Sequence, residues 1–172
     1  LLPARGASRI AWPDVLSFLE SRRGLLDGVV FSGGEPTLQK ALPQAMEAVR
    51  RLGFRIGLHT AGPYPDRLAA VLPWVDWVGF DVKAPFADYD RITGVPGSGA
   101  PAKDSLCRVL ASGVGCEVRT TVHKALLDEA ALFRLRAELS ELGVEPKIQA
   151  FRSAGCVTAS LVSENNAFCQ KL

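Results

Sequence analysis

The stretch Val29-Val30-Phe31-Ser32-Gly33-Gly34-Glu35-Pro36-Thr37 joins an apolar segment to a glycine turn. The run 27–31 is typical of a short buried strand. Gly33 and Gly34 have no side chains, so backbone N–H and C=O groups there can approach a ligand closely, and Pro36 restricts the direction in which the chain leaves. A plain turn with Glu35 near a helix start explains the motif about as well as a binding site does. Its position directly after a buried strand favours the binding site.

Strand and helix patterns alternate along the rest of the chain. Consecutive parallel strands need a long return connection, so the alternation predicts a parallel sheet connected by helices, the α/β class. The segment 85–101, rich in glycine and proline, is expected to form a long loop on the active face, and no structure is predicted for the tail 157–172. The predicted strands cover 27–31, 54–59, 75–82, 116–122 and 146–151, and the predicted helices cover 13–23, 40–52, 65–72, 101–112 and 128–142.

Composition and charge are those of an ordinary globular domain. The chain has 172 residues, 48% of them hydrophobic, and is large enough to bury a core of its own. Its 20 basic and 18 acidic residues leave a net charge of +2, which favours neither a nucleic-acid nor a membrane partner. No segment has the roughly 18 to 20 continuous apolar residues of a membrane span or the pattern of a signal peptide, so a cytoplasmic location is expected.

Polar side chains cluster where the predicted strands end. Asp81 and Lys83 share one side of their strand, because side chains alternate along it. Such a pair can grip the charged or hydroxyl groups of a small ligand, although an ordinary exposed ion pair is the simpler interpretation. Arg119 and Thr121 likewise share a face, and Arg119 is expected to meet an anion. Ligands bind at the carboxyl ends of strands in parallel sheets, so we expect one site there.

The histidines and cysteines carry weaker signals. His59 and His123 each follow a strand and could be hydrogen-bonding residues, general acids or metal ligands, of which metal binding is the least favoured. The cysteines show no Cys-x-x-Cys or cluster-type spacing, so reduced thiols without a cofactor are expected and no metal-ligating residue is assigned. They are Cys107, Cys116, Cys156 and Cys169.

Four segments, taken in order, resemble a known family. They are similar to segments of radical S-adenosylmethionine (SAM) enzymes. Within that superfamily they look most like the activating proteins of glycyl-radical enzymes, in particular the anaerobic ribonucleoside-triphosphate reductase activating type. The likeness extends over residues 1–156, expected to be one domain, and leaves 157–172 as an unassigned tail. The segments are 29–37, Gly57-Leu58-His59-Thr60-Ala61-Gly62, Asp76-Trp77-Val78-Gly79-Phe80-Asp81-Val82-Lys83-Ala84-Pro85-Phe86 and Arg119-Thr120-Thr121-Val122.

The resemblance implies a fold, a reaction and a set of binding residues. The implied fold is a partial (β/α)6 barrel of the TIM-like kind. In the implied reaction, a [4Fe-4S] cluster reduces SAM to methionine and a 5'-deoxyadenosyl radical, which removes a hydrogen atom from a glycine of anaerobic ribonucleotide reductase. An electron donor such as flavodoxin or ferredoxin is implied as well. By the same likeness, the loop of Gly33, Gly34, Glu35 and Pro36 holds the methionine amino group through its backbone, Thr60 lines the next strand end, and Asp81, Lys83 and Arg119 approach the methionyl and ribose groups.

The chain departs from the family pattern at two places. Related activating enzymes often have an aspartate where this chain has His59. Family members bind the cluster through Cys-x-x-x-Cys-x-x-Cys in the loop after the first strand, and this sequence starts at Leu1, without a methionine, downstream of where that triad is expected. We therefore expect an N-terminally truncated chain that lacks the first strand and the cluster loop and does not hold a cluster by itself.

Three functions are open at this point. The leading one is a radical SAM activating enzyme represented by a partial chain. The second is a non-catalytic SAM-binding or partner-docking remnant of a radical SAM protein. The third, a sugar-phosphate barrel enzyme, ignores the joint occurrence of the four segments. The coding DNA directly upstream of Leu1 distinguishes the first two, because an in-frame cysteine triad favours the enzyme and a genuine start codon favours the remnant.

Overall fold

The computed structural model describes residues 10–123 and 125–151, and its strands and helices alternate as predicted. The five strands form one parallel sheet in the order β1-β2-β3-β4-β5, so neighbours in sequence are neighbours in space. The strands are β1 (Gly28–Phe31), β2 (Arg55–Thr60), β3 (Trp77–Asp81), β4 (Gly115–Val122) and β5 (Lys147–Ala150). The helices are α1 (Trp12–Glu20), α2 (Leu42–Arg51), α3 (Pro65–Val71), α4 (Tyr89–Thr93), α5 (Gly99–Ser112) and α6 (Glu129–Glu141), with short 3-10 turns at Pro36–Leu38, Leu72–Trp74 and Phe86–Asp88.

Local sequence accounts for where the helices begin and end. The Asp128 side chain accepts a hydrogen bond from the Ala131 amide at 2.7 Å and so caps the start of α6. Proline lies in the first turn of α1, α2 and α3, where its missing N–H costs nothing. Gly113 ends α5 in the left-handed conformation, as its position in the sequence predicts.

One face of the sheet carries the core. Ile56, Leu58, Val78 and Phe80 are fully buried and form a single hydrophobic cluster with side chains of the helices. The alternate residues of the same strands project from the opposite face, which we call the open face and which contains His59, Gly79, Asp81 and Arg119. Because all five strands are parallel, their carboxyl ends meet along one edge of the sheet. Polar residues at that edge of the open face are therefore brought together.

The prediction of one long loop over 85–101 is wrong. This segment contains the 3-10 turn Phe86–Asp88 and the helix α4, and α5 already begins at Gly99. Gly94 serves as the left-handed cap of α4, with φ 69°. The Asp90 carboxylate accepts hydrogen bonds from the amides of Gly97 (2.9 Å) and Ser98 (3.1 Å), which fastens the intervening turn. The glycines that suggested a loop are therefore helix caps and turn residues, and the described residues contain six α-helices instead of five.

The other element predictions are confirmed to within a few residues. The largest differences are α1, which ends at Glu20 and not at 23, and β3, which starts at Trp77 and not at 75 because the Val75 amide still caps the preceding 3-10 turn by donating to the Leu72 carbonyl. The predicted domain boundary at 156 and the tail 157–172 lie outside the described residues. Within the described residues no helix is both long and apolar enough to cross a bilayer.

Candidate functional site

The turn after β1 exposes its backbone. Gly33 and Gly34 have φ of 93° and 57°, values that residues with a side chain rarely adopt. A Cβ at either position would meet no atom within 4 Å, so these glycines are required by backbone conformation and not by crowding. Within the described residues neither uses its backbone N–H or C=O in a hydrogen bond. The turn can therefore offer these groups to a ligand.

Glu35 fastens this turn to the end of β2. Its Oε1 accepts hydrogen bonds from the amide (3.1 Å) and hydroxyl (2.5 Å) of Thr37 and from the hydroxyl of Thr60 (2.8 Å). Its Oε2 accepts from the amide of Ala61 at 3.1 Å. The simpler sequence interpretation, Glu35 at the start of a helix, is also realised, because Glu35 is the N-cap of the 3-10 turn that begins at Pro36.

A chain of polar contacts crosses the open face from β1 to β4. The Ser32 hydroxyl lies 3.2 Å from Nδ1 of His59, and Nε2 of His59 lies 3.2 Å from Nη1 of Arg119. Both Nε and Nη2 of Arg119 lie 3.0 Å from Oδ1 of Asp81. Lys83 Nζ lies 3.7 Å from the other oxygen, Oδ2. The structure thus brings together the predicted residues Asp81, Lys83 and Arg119 and adds His59.

The geometry determines the protonation of His59. A guanidinium can only donate, so Nε2 of His59 must accept from Arg119, which places the ring proton on Nδ1 facing Ser32. Burial, and next the positive charge of Arg119, lower the pKa of His59. His59 is therefore a neutral imidazole that orients the guanidinium.

Arg119 meets an anion, as predicted, but the anion is a side chain of this chain. The Arg119 side chain is only 13% exposed and its charge is balanced by Asp81. Asp81 and Lys83 are 37% and 42% exposed, and their 3.7 Å separation is longer than a hydrogen bond. Within the described polar chain, Lys83 Nζ and Oδ2 of Asp81 are consequently the charged atoms left for a ligand.

Two further residues of β3 shape the site and were missed by sequence reasoning. A Cβ at Gly79 would lie 2.8 Å from His59 Cδ2, 2.8 Å from Trp77 Cη2 and 3.1 Å from Arg119 Cζ, so only glycine lets these side chains converge. The Trp77 indole packs edge-on against the His59 ring, with centroids 5.5 Å apart. The alternation of Trp77, Gly79 and Asp81 along one strand was the signal that could have revealed them.

Tyr89, on α4, holds the backbone of Lys83. Its hydroxyl accepts a hydrogen bond from the Lys83 amide at 3.1 Å. Burial raises the pKa of Tyr89 to about 12, so the phenol stays neutral. No sequence motif marks this contact, because α4 lies in the segment predicted to be a loop.

The remaining candidates lie apart from the polar chain. Thr121 is exposed on β4, whereas His123 is buried, accepts from the Ala125 amide at 3.2 Å and packs edge-on against Phe151. Cys107 lies on α5 and Cys116 is the second residue of β4, as predicted, and burial raises the pKa of the Cys116 thiol to about 11. Cys156 and Cys169 lie outside the described residues.

One apolar cavity does not coincide with the polar chain. It has a volume of about 540 Å³ and lies beside the Gly33 turn, between α1 and α2, where Trp12, Phe31 and Leu42 line it. Ser32 and Gly33 border it, but His59, Asp81, Lys83 and Arg119 do not. We place the site at the polar chain because the charged and hydrogen-bonding groups converge there.

Comparison with known proteins identifies the family. The family model described as "Radical SAM superfamily" matches residues 14–135, most of the chain. The chain belongs to the radical SAM superfamily. The predicted superfamily is thereby confirmed, and the match includes every residue of the polar chain.

Individual relatives are more diverse. The chain is 30% identical over 110 residues to a Methanocaldococcus jannaschii protein provisionally named a glycyl-radical enzyme activating enzyme, covering 60% of this chain and 46% of that protein. It is 39% identical over 61 residues to a 7-carboxy-7-deazaguanine synthase of Thermococcus kodakarensis, covering 35% of this chain and 24% of that protein. The chain thus spans less than half the length of these curated relatives.

A solved structure confirms the fold. A domain of a pyruvate-formate lyase-activating enzyme from Bacteroides vulgatus superposes with a TM-score of 0.61 at 16% identity, covering 84% of this chain and 93% of that chain. The predicted α/β class and the radical SAM partial barrel are confirmed by this likeness and by the parallel sheet. At this identity the likeness concerns the fold alone.

The two cofactors of the superfamily differ in how well the described residues fit them. SAM has an amine, a carboxylate and ribose hydroxyls, and the free backbone groups of Gly33 and Gly34 together with Lys83 and Asp81 are suitable partners. A [4Fe-4S] cluster needs converging thiolates. Within 10–123 and 125–151 no group of three or more His, Cys, Asp or Glu side chains could hold a metal. The described residues therefore fit SAM and do not fit the cluster.

Proposed function

We propose that this chain forms the SAM-binding part of a radical SAM enzyme that activates a glycyl-radical enzyme, with anaerobic ribonucleoside-triphosphate reductase as the expected partner. The observation that carries the proposal is that two features meet at one edge of the parallel sheet in a radical SAM chain. These are the Gly33-Gly34 backbone, which makes no hydrogen bonds within the described residues, and the charged polar chain. The relative at 30% identity, named for glycyl-radical enzyme activation, supports a glycyl-radical enzyme as the class of partner.

In this proposal each residue has a distinct task toward SAM. The backbone of Gly33 and Gly34 binds the methionine amino group, and Lys83 offers a cation to the carboxylate. Asp81 accepts from a ligand hydroxyl or amine through Oδ2, because Oδ1 is already occupied by Arg119. Bound SAM is the source of the radical chemistry that defines the superfamily.

Arg119 and His59 position other side chains and do not themselves contact the ligand in this proposal. Arg119 holds the Asp81 carboxylate in place and stabilises its charge, and the neutral His59 holds Arg119. Thr60 and Pro36 are buried, and the Thr60 hydroxyl holds the glycine turn through its hydrogen bond to Glu35. The proposal thus separates the predicted binding residues into groups that contact SAM and groups that position them.

Several elements of the proposal concern the whole protein. The barrel is proposed to comprise residues 1–156, followed by the tail 157–172. The cluster would be held by thiolates from outside the described residues, and a flavodoxin or ferredoxin in the cytoplasm would supply the electron. A glycine loop of the partner would enter the barrel along the open face, where Val30 and Thr121 are exposed.

A non-catalytic SAM-binding or partner-docking remnant is the second candidate. The observation that favours it is the absence of a metal-ligand group within the described residues. The coding DNA upstream of Leu1 separates the two candidates, because only the enzyme requires a cysteine triad in frame with this chain. The sugar-phosphate barrel has no support from the superfamily match.

Two measurements test the proposal. Isothermal titration of the 172-residue chain with SAM should show saturable binding, and a chain that binds no SAM would contradict both candidates that rest on SAM. The protein translated from the upstream coding sequence should then be reconstituted with iron and sulfide and incubated with SAM, a reductant and the anaerobic reductase of the source organism. A glycyl-radical EPR doublet is expected. Deoxyadenosine without a glycyl radical on any glycyl-radical enzyme of that organism would refute the activating role.

A further inference from the structure

We propose that Glu35 is a positioning residue whose carboxylate clamps the Gly33-Gly34 turn to the end of β2, so that it controls SAM binding without contacting SAM. The inference rests on the proposed function for its ligand and on the described hydrogen bonds for its geometry. The resemblance assigns SAM binding to the backbone of this loop and leaves the Glu35 side chain without a task.

The carboxylate of Glu35 is largely engaged by groups of the protein. It accepts four hydrogen bonds, three at Oε1 and one at Oε2, from Thr37, Thr60 and Ala61. An ionised carboxylate offers about four lone-pair positions in all. Oε1 is therefore fully used by groups of this chain, whereas Oε2 has one of its two positions left. Most of the carboxylate is thus committed to holding Thr37, Thr60 and Ala61.

The clamp continues into the core beneath the site. The Thr60 hydroxyl donates to Glu35 and accepts from the Gly62 amide at 3.0 Å, and the Gly62 carbonyl accepts from the Ser105 hydroxyl on α5 at 2.7 Å. Thr60 and Ser105 are 3% and 0% exposed. Gly62 has φ 70°, and a Cβ there would lie 2.5 Å from Phe80 Cζ. The path from Glu35 to Ser105 is thus continuous and closely packed.

The glycine turn depends on this clamp for its position. Gly33 and Gly34 make no hydrogen bonds of their own within the described residues, and both need an uncommon backbone conformation. Glu35 is the adjacent residue, and its side chain is the polar anchor that joins the turn to β2. Loss of the anchor would release the turn and leave the Ala61 amide and the Thr60 hydroxyl without their acceptor.

The test compares Glu35→Gln, Thr60→Val and their double variant. Glutamine has the same shape as glutamate, but one of its two terminal atoms is an NH₂ donor. Whichever way the amide is turned, this donor faces either the groups that donate to Oε1 or the Ala61 amide that donates to Oε2, and it cannot accept from them. Matched controls are Glu138→Gln, a carboxylate that accepts from the Phe86 amide, and Thr120→Val, a buried threonine on β4 whose hydroxyl has no hydrogen-bond partner within the described residues. Two properties are measured: amide hydrogen exchange at Ala61 without SAM, and the Kd for SAM by titration calorimetry.

A clamp predicts a defined pattern. Glu35→Gln should speed exchange at Ala61 about tenfold or more and weaken SAM binding about tenfold, the scale of one lost charge-assisted hydrogen bond. Thr60→Val should weaken SAM binding similarly, and the double variant should be no weaker than the weaker single variant, because both changes break one path. The control variants should bind SAM like the unchanged chain.

Other results overturn the proposal. A lower Tm with unchanged Kd in Glu35→Gln would show a merely structural role, and additive losses in the double variant would show that Glu35 contacts SAM independently of Thr60. If both variants fail to fold, Ser105→Ala is compared with the control Ser112→Ala on the same helix. Ser105→Ala should bind SAM several-fold more weakly than Ser112→Ala, and equal binding refutes the clamp. If the unchanged chain binds no SAM, the proposed function fails, while unaltered exchange at Ala61 in Glu35→Gln would separately refute the clamp.

Discussion

Gly79→Ala is the most informative single perturbation of the site. An added Cβ would lie 2.8 Å from His59 Cδ2, 2.8 Å from Trp77 Cη2 and 3.1 Å from Arg119 Cζ. Distances below about 3.0 Å are not tolerated by real Cβ atoms, so at least the two rings must move. Movement of His59 removes its contact to Arg119, and Arg119 then holds Asp81 less firmly.

The size of the effect follows from two opposing contributions. Overpacking by one methyl group typically costs about 1 to 3 kcal/mol. Alanine restricts the unfolded chain more than glycine does, which offsets about 0.4 to 1 kcal/mol because Gly79 does not have a positive φ. The free energy of unfolding should therefore fall by about 1 to 2 kcal/mol, which corresponds to a Tm lower by about 2 to 8 °C in a domain of this size.

Gly115→Ala provides the matched control. Gly115 lies in β4 beside Trp77, and an added Cβ there would have its nearest neighbours at 3.5 and 3.6 Å, which are ordinary contacts. This variant should be unchanged or slightly more stable. Thermal and chemical denaturation measure stability, and titration calorimetry measures SAM affinity, which only Gly79→Ala should weaken. Equal Tm and equal SAM affinity in the two variants would refute the argument that Gly79 is needed for the side chains to converge.

Three more predictions follow from the described contacts. Lys83→Ala should weaken SAM binding by about 1 to 3 kcal/mol with little loss of stability. The control Lys147→Ala breaks the ion pair with Glu117 and should change neither SAM affinity nor stability appreciably. Equal SAM affinity in both variants would mean that Lys83 forms only an ordinary ion pair with Asp81. The folded-state pKa of His59 is lowered from 6.5, so its contribution to stability is present above about pH 6.5 and is lost as the pH falls through the folded-state pKa. Denaturation curves between about pH 7.5 and 5 should therefore show a steeper loss of stability than in His59→Gln, and parallel curves would contradict the lowered pKa. Thr120→Val should raise the free energy of unfolding by about 1 kcal/mol, because it removes a buried hydroxyl that has no hydrogen-bond partner in the described residues. A destabilised variant would indicate that this hydroxyl does make a hydrogen bond.

Much of the fold could be predicted because its signals are local. The apolar run before Gly33, the recurring strand and helix patterns and the glycines after helices depend on neighbours a few residues away. The parallel topology then placed the strand ends together, which is why Asp81, Lys83 and Arg119 could be named before any contact was known. The prediction of a loop over 85–101 failed because a glycine that caps a helix, such as Gly94, and a glycine in a turn, such as Gly97, look the same in sequence.

The sequence by itself determined the elements outside 85–101, their order, the edge of the sheet where the polar residues lie and the superfamily. Only the tertiary structure decided which of those residues bind each other: Glu35 pairs with Thr60 at 25 residues' separation, Asp81 with Arg119 at 38, and His59 with Arg119 at 60. Such pairs depend on the register between strands and on the space left by Gly79, and both are set by the packing of the sheet against its helices. A hydrogen bond between distant residues has no short-range pattern, so the division between side chains that face a ligand and side chains that hold them appears only once the chain is folded.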